Sequence, residues 1–147
     1  QINGGRANDN LSGGGQNDRI FGSDGNDEIR GGAGDDWLSD GNGHDKLKGG
    51  KGQDLLIGDK GDDILTGGAD SDTVRFAEMH GHDMIVDFDT ADALELIDFT
   101  KISAISDLTS VSVDTTDGLL ITTGASSSLV LSGVDLASLD SGDFDFV

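Results

Sequence analysis

GSDGNDEIR (22–30), GGAGDDWLS (31–39), DGNGHDKLK (40–48), GGKGQDLLI (49–57) and GDKGDDILT (58–66) follow one another without a gap. In every nonapeptide the sixth residue is Asp, the fourth Gly and the eighth Ile or Leu. A fixed period carrying one acid and one aliphatic residue is an internal repeat, and a repeat of this kind decides the fold. The pattern extends outward to GGRANDNLS (4–12), GGGQNDRIF (13–21) and GGADSDTVR (67–75), giving eight units. The acid column is then Asp9, Asp18, Asp27, Asp36, Asp45, Asp54, Asp63 and Asp72. The aliphatic column runs from Leu11 through Ile20, Ile29, Leu38, Leu47, Leu56 and Leu65 to Val74. Column four departs from Gly at Ala7, Gln16 and Asp70, and columns one and two depart at Asp40, Ser23 and Asp59.

The six-residue front of each unit is too rich in glycine for a helix, where each Gly costs about 1 kcal/mol. It suits turns with positive φ. The three-residue tail, x-aliphatic-x, reads as a very short strand with its middle side chain on one face and its flanks on the other. Two tails and two turns make an 18-residue coil that cannot bury its apolar face alone. The expected fold is all-β: a right-handed parallel β-roll of two short-stranded sheets over residues 4–75, then a small β-rich cap over 76–147. In the cap, 84–88 and 94–99 read as strands, 101–108 as a short helix, and 119–123 with 128–131 as a hairpin.

Composition fits a thin core that needs help. Of 147 residues, 34% are hydrophobic and 5% aromatic, and 29 acids against 9 bases leave a net charge of −20. That charge argues against nucleic acid, whose phosphates require Lys and Arg. No cysteine is present, which excludes disulfides and thiolate metal sites. No apolar run approaches the roughly 18 residues of a membrane span. The start at Gln1 carries neither an initiator Met nor a signal-peptide pattern, so an upstream domain of the same chain is expected.

Carboxylates and backbone carbonyls without Cys or a His cluster are hard oxygen ligands, which select Ca²⁺ over zinc or copper. Turns on the same side of the roll are 18 residues apart, so one side stacks Asp9, Asp27, Asp45 and Asp63. The other stacks Asp18, Asp36, Asp54 and Asp72. An ion between neighbouring turns would take an Asp from each, with carbonyls brought together by Gly25, Gly34, Gly43, Gly52 and Gly61. Three gaps per side give about six ions. Gaps touching Ala7, Gln16 or Asp70 are expected to be weaker. Without calcium, stacked like charges repel and the repeat block is expected to unfold.

The motif G-G-x-G-x-D-x-aliphatic-x resembles the nonapeptide of RTX (repeats-in-toxin) proteins, whose parallel β-roll occurs in secreted bacterial toxins, serralysin-type proteases, lipases and alginate epimerase modules. The resemblance covers residues 4–75. Gly81-His82-Asp83-Met84-Ile85-Val86-Asp87-Phe88 is similar to the segment leaving the roll in serralysin-like chains, which implies Asp83 as a further ligand paired with Asp63. The terminal Asp-Phe-Asp-Phe-Val resembles the uncleaved C-terminal signal of type I secretion substrates. The family implies a calcium-binding module of a secreted bacterial protein, exported by the type I machinery and folding outside the cell. The alternatives are a module that binds an acidic polysaccharide such as alginate, or a calcium-dependent surface adhesive.

Two outward faces follow from the same columns. Phe21, Trp37, Leu55 and Ile57 share one face and are expected to be covered by the cap or a neighbouring domain. Arg30, Lys46 and Lys48 cluster on the other, as a solvated face or a polysaccharide contact. His44 falls at a variable column and reads as a tolerated surface residue, and His80 with His82 lacks a third metal ligand. The Ser and Thr residues have no partnering His in a nucleophile motif, so no catalytic constellation is expected.

Overall fold

A computed structural model of the chain describes residues 1–77, 79–89, 91–97, 112–115, 118–123, 127–134, 136–139 and 143–146. Nine strands carry the repeats: β1 (Ile2–Gly5), β2 (Asn10–Gly15), β3 (Arg19–Asp24), β4 (Glu28–Ala33), β5 (Trp37–Asn42), β6 (Lys46–Lys51), β7 (Leu55–Gly58), β8 (Ile64–Ala69) and β9 (Thr73–Ala77). Beyond them lie β10 (His82–Ile85), β11 (Ala93–Ile97), β12 (Ser112–Thr115), β13 (Gly118–Thr122), β14 (Ser128–Ser132), a 3₁₀ turn (Leu136–Ser138) and β15 (Phe144–Phe146).

Odd and even strands separate into two sheets. One has the order β1-β3-β5-β7-β9-β11-β15, the other β12-β13-β14-β10-β8-β6-β4-β2. Neighbouring repeat strands pair in parallel, with each residue opposite the one a coil later: Ile20 faces Leu38, and Leu38 faces Leu56. This is the parallel β-roll that the repeat predicts. The eighth column forms its core. Ile20, Ile29, Leu38, Leu47, Leu56, Leu65 and Val74 are buried, and Leu11 is partly so. Each such side chain contributes about 1.5–3 kcal/mol.

The strands differ from expectation in length. Most repeat strands span six residues rather than three, because backbone pairing continues through the first three columns of the next unit. Glycine at column two permits this: Gly32, at φ 120, still pairs with Gly14 and Gly50. Between β2 and β8 one strand is cut short, β7, which ends at Gly58.

The described strands beyond the repeats extend both sheets. β14 pairs in parallel with β10, and β13 and β12 follow antiparallel, while β15 joins β11. The hairpin falls where the sequence places it, the strand expected at 84–88 is His82–Ile85, and the one at 94–99 is Ala93–Ile97. Residues 101–108 lie outside the described residues. Leu94, Leu119, Leu129, Leu131 and Phe144 continue the buried column past the repeats. No helix among the described residues is long and apolar enough to cross a membrane.

The described cap strands lengthen the sheets rather than lie over the face of Trp37. Trp37 stays 37% exposed, with the Arg19 guanidinium 5.4 Å from its ring centroid. Phe21, Leu55 and Ile57 are half-buried beside it.

Candidate metal centres

The turns carry the acids. Column-four glycines sit there for two reasons: Gly43 and Gly61 have φ 155 and 152, and a Cβ on Gly61 would overlap the carbonyl of Gly43. Coils can stack this closely only without a side chain. Gln16 and Asp70 adopt the same left-handed region, at φ 93 and 80, with a side chain present.

From Asp27 to Asp72 each sixth-column carboxylate reaches back one coil. Oδ1 of Asp27 accepts the amide of Asp9 at 2.8 Å, and Oδ1 of Asp45 accepts that of Asp27 at 2.6 Å. Oδ1 of Asp63 accepts the Asp45 amide at 2.9 Å. On the other side Asp18, Asp36 and Asp54 donate in turn to Asp36, Asp54 and Asp72 at 2.7–2.9 Å. Both ladders run on past the repeats. Asp63 donates to Asp83 and Asp72 to Asp92, each at 2.9 Å across 20 residues.

The second oxygens are the unusual ones. Oδ2 of Asp9, Asp27, Asp36, Asp45, Asp54, Asp63 and Asp72 is buried with no hydrogen-bond partner. Unpaired buried carboxylate oxygens are costly unless a cation or proton meets them. Burial pushes Asp54 up to about 6 and Asp63 and Asp72 up to about 7, while the amides they accept pull the other way. Burial likewise raises Asp36, Asp45, Asp83 and Asp92.

Calcium fits these residues. A Cβ placed on Gly13 would lie 2.6 Å from Oδ2 of Asp18 and 2.7 Å from the carbonyl oxygen of Gly31. On Gly4 the same point is 2.7 Å from Oδ2 of Asp9 and 2.8 Å from the Gly22 carbonyl. A charged oxygen and a carbonyl oxygen from successive coils thus converge on a space that only glycine leaves open. Column-one glycine supplies room for hard oxygen donors.

Of the predicted site residues, the eight repeat aspartates and Asp83 are joined by the two ladders, and the column-four glycines line the same turns. Asp83 differs in one respect: His80 binds its Oδ2 through Nδ1, and Nε2 of His80 meets the Thr123 hydroxyl at 2.7 Å. His80 is therefore a buried structural partner, and His82 bonds Ser128 instead, at 2.8 Å.

Several participants escaped the sequence reading. Asp92 ends one ladder, and Oδ1 of Asp87 accepts the Gly67 amide at 2.9 Å. Column five builds a further ladder running the opposite way. Asn8 accepts from the Asn26 amide at 2.8 Å, Asn26 from His44 at 3.1 Å, and Nδ1 of His44 from Asp62 at 3.0 Å. His44 is exposed, yet it is a ladder member rather than a merely tolerated residue. The signal was present: Asn8, Asn17, Asn26, Asp35, His44 and Asp62 all carry an acceptor close to the backbone. Asp40 is the other omission. It is fully buried at column one, with Oδ1 accepting the amides of Gly41 at 2.7 Å and Asp59 at 2.8 Å.

Comparison with known proteins agrees with this geometry. The family described as RTX calcium-binding nonapeptide repeat (4 copies) matches residues 3–38 and 39–74. Among solved structures, the chain is similar to the extracellular lipase LipA from Serratia marcescens, with TM-score 0.54 and 18% identity over 96% of this chain. It spans 38% of that lipase, and the likeness is one of fold. It is also similar to the AlgE6R3 subunit of the Azotobacter vinelandii mannuronan C5-epimerase, with TM-score 0.51 and 25% identity, over 88% of this chain and 78% of that one. No curated sequence matches.

Proposed function

Because residues 3–74 belong to the RTX calcium-binding nonapeptide repeat family, we propose that the chain is a calcium-driven folding module of an extracellular protein. The observation that carries this reading is the file of buried Oδ2 atoms without partners. Asp9, Asp18, Asp27, Asp36, Asp45, Asp54, Asp63 and Asp72 hold the ions in pairs one coil apart, with carbonyls of the glycine-rich turns. Asp83 and Asp92 close the two files. About six gaps are available by this pairing.

Bound calcium supplies positive charge between stacked carboxylates. The chain supplies the oxygen cage, the aliphatic column and the ladder bonds. Binding and folding are one event, as for metal sites absent from the unfolded state. An extracellular module of this kind binds at roughly 10⁻⁴–10⁻³ M, so the repeats remain unfolded in a low-calcium cytosol and fold after export. The lipase that shares the fold is itself extracellular, which supports that location. In this reading 4–75 is the roll, 76–147 the cap that carries the type I export signal, and the module serves an upstream domain without catalysing a reaction. Circular dichroism through an EGTA–calcium titration tests it. A β signal appearing with calcium is expected, and one indifferent to the chelator would overturn the reading.

A second reading concerns the outer face of the eight-stranded sheet. Arg30, Lys46 and Lys48 line a shallow groove with Glu28, Ile64 and Thr66, on a chain of net charge −20. Together with the likeness to an epimerase subunit, this favours contact with an acidic polysaccharide. Retention on immobilised alginate, abolished in Lys46→Glu/Lys48→Glu, is the expected result. Retention that survives both changes would dismiss the groove.

A further inference from the structure

Every repeat unit but one begins with glycine, and the exception begins with Asp40. At Gly4, Gly13, Gly22, Gly31, Gly49 and Gly67 a column-one Cβ would intrude on the carboxylate five residues on, while at Gly58 it would meet the Phe76 ring. At Asp40 a side chain occupies that space, flanked on the adjacent strands by Gly22 and Gly58. The intruding group is another acid, and its exposure is 0%. Its Oδ1 is committed to the amides of Gly41 and Asp59. Its Oδ2 has no partner, and neither does Oδ2 of Asp45 or of Asp63.

Asp40, Asp45 and Asp63 each bring a carboxylate oxygen to within 4.8 Å of the other two. Among the described residues no Lys, Arg or His forms an ion pair with any of them. Three buried carboxylates, each with one oxygen spent on backbone amides and one unspent, converge where the other turns offer two. Ligand charge count is the main lever on the affinity of oxygen sites for hard cations.

We propose that Asp40, Asp45 and Asp63 form a three-carboxylate cation site inside the roll, which binds calcium more tightly than the two-carboxylate gaps and favours trivalent lanthanides over calcium more strongly. The proposal rests on the calcium reading for Asp45 and Asp63; Asp40 is what it adds. This site fills first as calcium rises, and it anchors the middle of the ladder. It also explains why β7 ends early: the amide of Asp59 turns inward to Asp40 instead of continuing the sheet.

The test is calcium titration of the full chain by calorimetry and equilibrium dialysis, with circular dichroism alongside, for wild type, Asp40→Gly and Asp40→Asn. Asp40→Gly restores the residue found in every other unit and preserves the roll. Asp40→Asn keeps the acceptor for Gly41 and Asp59 while removing the charge. Wild type is expected to hold one ion about tenfold or more tighter than the rest, with Tb³⁺ displacing that ion first. Both variants are expected to lose this tight phase, and their remaining ions to bind as before. Should Asp40→Gly fail to fold at saturating calcium, Asp40→Asn decides by the same measurement. Equal tight-phase affinity in wild type and Asp40→Asn, or a wild type without any tight phase, overturns the proposal while leaving calcium-driven folding intact. A wild type that binds no calcium at all removes the functional reading itself, and this site with it.

Discussion

His80 and Asp83 form a fully buried pair, Nδ1 against Oδ2, at the point where one aspartate ladder leaves the repeats. Every earlier carboxylate from Asp27 to Asp63 in that file keeps Oδ2 without a protein partner. The imidazole, held from behind by Thr123 and beside the ring of Phe76 at 4.8 Å, gives the last one a partner made of protein. His80→Ala leaves Oδ2 of Asp83 buried without its imidazole partner, while Oδ1 keeps the Asp63 amide. Breaking a buried pair from one side costs about 3–5 kcal/mol, so the thermal midpoint of the calcium-saturated protein should fall sharply. An unchanged midpoint would show the pair to be idle.

Column-one glycine is needed for space, not for backbone freedom, and a matched pair of substitutions separates the two. In Gly49→Ala the new Cβ meets Oδ2 of Asp54 and lies 2.6 Å from the Gly67 carbonyl, whereas at Gly15 nothing stands within 4 Å. Gly49→Ala should raise the calcium midpoint and cost about 1–3 kcal/mol. Gly15→Ala should match wild type, and equal behaviour of the two would refute the cradle.

Asp54→Asn is nearly isosteric, and its side-chain oxygen can still accept the Asp36 amide now bonded at 2.8 Å. The ladder should survive while the charge is lost from both gaps that Asp54 borders, toward Asp36 and toward Asp72. Fewer ions bound at saturation, with the β signal recovered at higher calcium, is the expected result. An unaltered ion count would separate the carboxylate from calcium.

Acid should substitute in part for calcium. Asp54, Asp63 and Asp72 are raised in the folded chain, from an ordinary 3.8 to about 6, 7 and 7. A carboxyl raised on folding binds more protons folded than unfolded, so the metal-free roll gains stability as pH falls from about 7 to about 4. Over the same window protons compete with calcium and the calcium midpoint should rise. Dichroism of the chelated protein from pH 7.5 down to 4 follows this directly; a flat or declining β signal would contradict it.

The periodic columns made the fold legible. A Leu or Ile every nine residues alternates between two sheets, and Ile20, Leu38 and Leu56 lie stacked as that arithmetic requires. The acids pair at the spacing the coil dictates. The sequence concealed relations that pass through the backbone. Nothing in Asp45 as a letter says that one oxygen is spent on the Asp27 amide, leaving a single oxygen for an ion. The pairing of β4 through Gly31 and Gly32 was also hidden, since glycine carries no strand preference to read. Asp92 was missed because the coil lengthens to 20 residues after Asp63 and Asp72, which breaks the period just where the cap begins. Asp40 was visible as a departure, but its meaning lies in Asp45 and Asp63, five and 23 residues away in sequence.

The strands that follow the repeats have a consequence for assembly. The lower rim of a stack of like coils is complementary to its upper rim, and head-to-tail contacts of that kind build open filaments. Here β14 takes the free edge of β10, β15 takes that of β11, and β13 then reverses the backbone direction. Neither sheet then ends on a nonapeptide: the described edge strands are β15 in one and β12 in the other, with residues that match no repeat unit. Among the described residues, β10–β15 thus act as a chain terminator in the polymer sense, giving a protein built from self-similar layers an end unlike its beginning.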